Sequence, residues 1–257
     1  MGNYTNKHFY PDWVCNLLQH NPYSRGTQPS DISSTQLIDS PQVLQLRKEH
    51  RDEIVEDVSD RIWAIYGSAV HAIVEAANLS SGNVLTEKRL YHKYNEHVVT
   101  GQYDVYDMQS KILYDFKTVS SWSLIKGAKT SWVNQLNVLA DLMRKNDWEV
   151  KGLCIAALGR NWEERTAKTN KSYPDKALMM YEIPMWDEPI AESYIEQRLQ
   201  AHFFNEPICT GEEKWQTDEK WAVMKDGRSR AVKLFDSEFE ANEFLVVQKD
   251  QDKLRLE

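Results

Sequence analysis

The sequence predicts an α/β sandwich built around a mixed sheet. Three observations carry that expectation. Short apolar strands over residues 98–119 alternate around a polar turn at Met108, Gln109 and Ser110. Amphipathic helical patterns stand on either side, at Ile62 to Leu79 and Trp132 to Lys145. After the second helix comes Gly152 to Leu158, an apolar run of strand length. Helix, three antiparallel strands, helix and strand, in that order, need helices packed on a sheet that is part parallel and part antiparallel.

The elements follow in chain order. Residues 1–30 are rich in Asn, Tyr, Pro and Ser without a sustained period, and read as an irregular arm. Ser30, Asp31, Ser33 and Ser34 suit helix caps for a short helix over Thr35 to Asp39, and Pro41 opens the next segment. Residues 42–61 read as a helix whose charges alternate in sign, a solvated face. In Ile62 to Leu79, Trp63, Tyr66, Val70, Ile73, Val74 and Ala77 recur at three- and four-residue steps, the mark of a buried stripe. Asn78 to Asn83 reads as a turn, and Val84 to Tyr91 as one strand. Ser131 is the expected cap of the next helix, with Trp132, Leu136, Leu139, Ala140 and Met143 on its apolar side. Arg160 to Lys176 reads as a polar loop, Ala177 to Ile183 as a strand, and Asp187 to Phe204 as a helix.

From Lys220 the pattern changes to a strand at Trp221 to Met224, an Asp226-Gly227 turn, a strand at Arg230 to Phe235, and a helix capped by Ser237. The expected organisation is an arm over 1–30, a core over 31–210 and a small ββα module over 220–257.

Composition narrows the function classes. The 257 residues are 41% apolar and 27% charged, as in a soluble globular domain. No apolar run approaches the roughly 18 residues of a membrane span, and no membrane partner is expected. Cys15, Cys154 and Cys209 are scattered, with no CxxC pair. They point to a reducing compartment such as the cytoplasm, and away from both a disulfide framework and a four-cysteine iron–sulfur cluster. The net charge of −8 is awkward for a nucleic-acid protein, although Lys220 to Lys233 holds five basic residues against one acid.

The most informative stretch is Gly101 to Val119. Asp104 is placed on its first strand. Asp115 and Lys117, two residues apart, leave one face of the second. Two acids beside a lysine suit a divalent-metal site. Around them these residues resemble the PD-(D/E)XK nuclease superfamily, in its RecB-type and phage-exonuclease branch. Gly67-Ser68-Ala69-Val70-His71 resembles the helical histidine motif, and Glu87 lies on the strand before the hairpin. Gly101-Gln102-Tyr103-Asp104 resembles the GxxD motif, Asp115-Phe116-Lys117 the acid-x-lysine motif, and Gln135-Leu136 the glutamine motif. The resemblance spans about residues 33–145. It departs at Asp115, where many members have Glu, and at Leu139, where a tyrosine often stands.

The resemblance implies a restriction-endonuclease-like core that hydrolyses DNA with Mg²⁺, for which Mn²⁺ substitutes. It implies Asp104, Asp115, the Phe116 carbonyl, His71 and Glu87 as metal ligands. Lys117 would orient or deprotonate the attacking water or stabilise the transition state, and Gln135 would orient the lysine or contact the phosphate. An exonuclease of phage recombination or DNA processing is expected first, in host cytoplasm, alongside a single-strand annealing or recombination protein and with room for a homo-oligomer. A structure-selective or nicking endonuclease is the alternative within the same chemistry. A non-catalytic DNA-binding protein on a nuclease fold is the alternative of another class. Aromatic and basic loop residues mark the expected DNA contacts: Trp122, Lys126, Lys129, Arg160 and Arg165.

Overall fold

A computed structural model describes residues 3–20, 28–78, 82–203, 207–211, 213–214, 220–247 and 254–256. The chain forms two compact units, Met1–Ile208 and Cys209–Glu257.

The first unit opens with β1 (Asn3–Thr5) and α1 (Asp12–Gln19), so the stretch expected to be an irregular arm holds a strand and a helix. Neither has the length that makes a period visible in sequence. β2 (Ile32–Ser33) leads into α2 (Ser34–Ile38), which Ser33 caps in a reciprocal box with Gln36. α3 (Pro41–Glu49) has Pro at its first turn and a Ser40 side-chain cap. The helix expected through residue 61 stops there. β3 (Val55–Asp57) pairs in parallel with β1, and a 3₁₀ turn (Val58–Arg61) leads into α4 (Ile62–Asn78). The expected turn after α4 falls partly outside the described residues, at 79–81.

The strand expected over 84–91 is two strands, β4 (Val84–Thr86) and β5 (Arg89–Tyr94). The first strand of the expected hairpin is likewise divided into β6 (His97–Gln102) and β7 (Val105–Asp107), followed by β8 (Ile112–Val119). Then come α5 (Ser121–Leu124), α6 (Thr130–Arg144), β9 (Gly152–Gly159), α7 (Glu164–Thr169), β10 (Leu178–Ile183) and α8 (Glu188–Phe203). α7 lies in the stretch expected to be a loop. Lys129, not Ser131, occupies the cap position of α6, and no side chain caps it.

The fold is mixed α/β. One five-stranded sheet runs β10-β9-β8-β7-β4, with β8 and β9 parallel and the other pairs antiparallel. A three-stranded sheet runs β2-β6-β5. α6 packs on strands of both sheets, which explains why Leu136, Val138, Leu139, Ala140, Leu142 and Met143 are all fully buried. Its expected apolar side is buried, and much of the remainder is too, because a helix covered by two sheets has little polar face left. Gly101 of β6 is required by that packing. A Cβ there would stand 2.5 Å from Leu139 and 2.8 Å from Leu142, so this glycine serves close approach and not a turn.

Two expectations about burial change. On β8 the buried positions are Leu113 and Asp115, whereas Ile112, Tyr114 and Phe116 are half-buried. The acid therefore points toward covered space, while the expected apolar face is only partly covered. On α4, Trp63, Tyr66 and Ile73 of the expected core stripe are exposed, and Val70 and Val74 are half-buried.

In the second unit, β11 (Trp221–Lys225) pairs with β12 (Lys233–Phe235), and α9 (Glu238–Val247) follows. β13 (Leu254–Leu256) adds a strand on the other edge of β11, making ββαβ of the expected ββα. At three residues, β13 is too short to alternate recognisably.

Candidate active site

The site is built where the chain changes sheets. β4 belongs to the five-stranded sheet and β5 to the three-stranded one; Glu87 and Lys88 bridge them. On the return, β6 belongs to the second sheet and β7 to the first, bridged by Tyr103 and Asp104. Asp104 is thus at a sheet switch and not within a strand. The two switches lie side by side: the Glu87 amide donates to the Asp104 carbonyl (3.0 Å), and the Tyr103 amide to the Lys88 carbonyl (3.3 Å). Glu87 takes a left-handed backbone, φ 51°. That conformation costs a non-glycine residue on the order of 1 kcal/mol and persists where surrounding structure enforces it. Here it turns the carboxylate out of the strand alternation and toward Asp104.

α4 brings His71 to this junction. Its Nδ1 lies 3.2 Å from Glu87 Oε1 and 3.4 Å from Asp104 Oδ1. One ligand atom from each of these three residues falls within 4.8 Å of the others. Hydrogen bonding to Asp104 first, and then to Glu87, pushes the imidazole up to about 10 against the opposing effect of burial. Two acids this close concentrate negative charge that a cation offsets. Two carboxylates and an imidazole suit a divalent ion of the Mg²⁺ or Mn²⁺ kind, which would compete with the proton for the same atoms.

The second half of the site lies on β8. Lys117 Nζ stands 2.8 Å from Asp115 Oδ2 and donates to Gln135 Oε1 of α6 at 2.9 Å. The shared face expected for Asp115 and Lys117 is present, and Gln135 reaches the lysine. The halves are joined by the Phe116 amide, which donates to Asp104 Oδ2 at 2.6 Å. Burial raises the Asp115 carboxyl to about 6; Lys117 opposes that rise, and Asp104 reinforces it. Lys117 retains 22% exposure, so the pair borders solvent.

Gln102 was missed as a site residue. Its amide donates to Glu87 Oε2, and its oxygen accepts from Arg89 at 2.9 Å. It thereby fixes the Glu87 carboxylate. Its signal in the sequence is its place in Gly101-Gln102-Tyr103-Asp104, two residues before the aspartate.

The residues expected to contact DNA lie on the segments that follow β8 and β9. Trp122 is half exposed, with its ring edge-on to Tyr173 at 5.1 Å. Lys126, Lys129 and Arg165 are exposed, and Lys129 leans on Trp132 at 5.4 Å. Arg160 packs over the Trp63 ring, 4.0 Å from its centre.

No family model matches the chain, and no curated protein matches it. Among solved structures it shares a fold with the crystal structure of SSO0001, at TM-score 0.55 and 18% identity over 80% of this chain and 92% of that one. It also overlaps an alkaline exonuclease from Laribacter hongkongensis (TM-score 0.38, 12% identity, 58% and 69% covered). A phage-related exonuclease from Haemophilus somnus 129PT overlaps at TM-score 0.32 and 13% identity, with 73% and 74% covered. No helix among the described residues is long and apolar enough to cross a membrane.

Proposed function

We propose that the chain is a divalent-metal-dependent deoxyribonuclease of the PD-(D/E)XK type, acting on DNA ends as an exonuclease. The carrying observation is the convergence of His71, Glu87 and Asp104 beside the linked Asp115, Lys117 and Gln135. Three acids brought this close repel one another, and a divalent cation bound among them would offset that repulsion beyond what Lys117 supplies.

Asp104, Glu87 and His71 would hold the ion, and Asp115 borders them. A bound divalent ion would neutralise charge on the scissile phosphate and make water more acidic. The chain's own residues supply the remaining chemistry. Lys117, held by Asp115 and by the Gln135 oxygen, presents a cation where negative charge develops on phosphate. Gln135 uses its acceptor on the lysine, which fixes the direction of the ammonium. Gln102 and the left-handed backbone keep Glu87 aimed at the junction. Mg²⁺ is the expected ion, and Mn²⁺ is the expected substitute.

The test is end-labelled linear DNA beside a covalently closed circle, with and without Mg²⁺ or Mn²⁺. Metal-dependent loss of the linear form alone supports the exonuclease. Cutting of the circle moves the reading to an endonuclease. Tight binding without turnover in either metal replaces it with a binding protein.

A further inference from the structure

We propose that Trp63 and Arg160 form a stacking shelf for an unpaired nucleic-acid strand at the mouth of the site, which makes a single-stranded end the preferred substrate. The inference rests on the nuclease reading and names the form of DNA that the same site takes.

The shelf lies where parallel β8 and β9 end, at Val119 and Gly159. Crevices beyond the carboxyl ends of parallel strands are the usual ligand positions in α/β sheets. The Arg160 amide donates to the Val119 carbonyl at 2.8 Å, which fixes the residue two positions beyond Lys117 along β8. At about 3.3 Å per strand residue, that is roughly 7 Å past the lysine. α4 crosses the same place: a Cβ on Gly67 would touch Thr118 Oγ1 at 3.7 Å, and Trp63 is one helical turn before Gly67. The helix that supplies His71 to the acids therefore carries Trp63 to the end of β8 and β9, where it meets Arg160.

Trp63 is 57% exposed although its spacing marks it as core, and Tyr66, three residues on, is 38% exposed. A lone exposed aromatic needs no explanation. This one is covered on one side by a guanidinium at stacking distance, 4.0 Å. A base can stack on an indole or on a guanidinium plane, and both surfaces accept any base because every base has a π-face. Half-exposed Trp122 and exposed Lys126 and Lys129 follow β8 at the same end of the sheet. In a chain of net charge −8, cations beside exposed rings complement a phosphate backbone with unstacked bases. Duplex DNA keeps its bases inside and has no use for such a surface.

The test is fluorescence anisotropy of a labelled short oligothymidylate and of its blunt duplex, in EDTA so that cleavage does not intervene. Trp63→Ala should weaken single-strand affinity about fivefold to a hundredfold, the loss of one stacked base, and leave duplex affinity unchanged. Arg160→Lys, which keeps the charge and loses the plane, should show the same selectivity. Trp63→Phe should retain most of the affinity; if Trp63→Ala does not fold, Trp63→Leu, which keeps apolar bulk and loses the π-face, serves in its place. Equal loss on both DNAs, or no loss in either variant, overturns the shelf. A changed oligomeric state with DNA affinity intact also overturns it and makes the surface a protein interface. Cleavage measured in parallel separates the two readings. Selective loss of affinity in a protein that never cuts sustains the shelf and ends the nuclease proposal; normal cutting with intact affinity in both variants does the reverse.

Discussion

Asp115 and Asp141 are both buried aspartates, and burial is the largest influence raising the pKa of each. Their surroundings differ. Asp141, on α6, accepts from the Tyr94 hydroxyl at 2.5 Å, with the Lys145–Glu192 ion pair nearby. Its partner is a phenol that burial holds firmly protonated. Asp115 faces Lys117, which is mostly covered, and Asp104 and His71 both act on it electrostatically. The first is a closed polar contact that ties β5 to α6. The second adjoins another acid together with an imidazole, a combination that Asp141 lacks among the described residues. A buried acid beside a lysine that reaches solvent therefore says little about function, since Asp141 has Lys145 as Asp115 has Lys117; the second acid together with the imidazole acting on Asp115 makes it the candidate for chemistry.

The difference can be broken in several ways. The largest effect is expected at the candidate site. Asp115→Ala and Lys117→Ala should each lower DNA cleavage by about a hundredfold or more, the scale of losing a charge-stabilising group. Circular dichroism should show the fold retained. Undiminished cleavage by both variants would erase the distinction drawn here. By contrast, Tyr94→Phe and Asp141→Asn should leave cleavage at the wild-type level.

Next is the response to metal. Saturating Mg²⁺ or Mn²⁺ should raise the Tm of the wild type, since an ion at a hundred times its Kd stabilises by about 2.7 kcal/mol. The increment should vanish in Asp104→Ala and Glu87→Ala, and survive in Tyr94→Phe. An increment that survives in Asp104→Ala would place the ion elsewhere.

Tyr94→Phe should lower stability in chemical denaturation by about 1–3 kcal/mol, because it leaves a buried carboxylate oxygen without its donor. The smallest effect is on pH dependence. Burial first, partly offset by the Tyr94 hydrogen bond and Lys145, raises the Asp141 carboxyl, so the folded state holds this proton more tightly than the unfolded state. Its stabilising contribution is then present at low pH and lost as pH rises through the folded-state value. Asp141→Asn should flatten that segment of the Tm–pH profile just above the ordinary carboxylate range; an unchanged profile would remove Asp141 as its source.

The legible parts of the molecule share one property: their pattern is local. α6 was readable because five apolar residues recur on one side over four turns. The shared face of Asp115 and Lys117 was readable because a two-residue step fixes it in any strand. Glu87 and Gln102 were harder. A stretch such as 84–94 alternates in the same way whether it stays in one sheet or crosses to another, and a left-handed glutamate leaves no mark in composition. α4 misled for a related reason. Its apolar spacing marks a face, and spacing carries no information about whether protein, solvent or substrate covers it.

The sequence by itself determined the mixed α/β class, the main helices and strands of the core, and the placement of an acid and a lysine on one strand face. Those follow from periodicity and from backbone geometry that every chain obeys. Only the tertiary structure decided that Glu87 and Asp104 meet at adjoining sheet switches, that Gln102 fixes Glu87 there, and that Trp63 stands in the open under Arg160. Each of these depends on which strands hydrogen-bond to which. Strand pairing is a choice between distant segments, settled by burial of the whole core and not by any one segment's own residues.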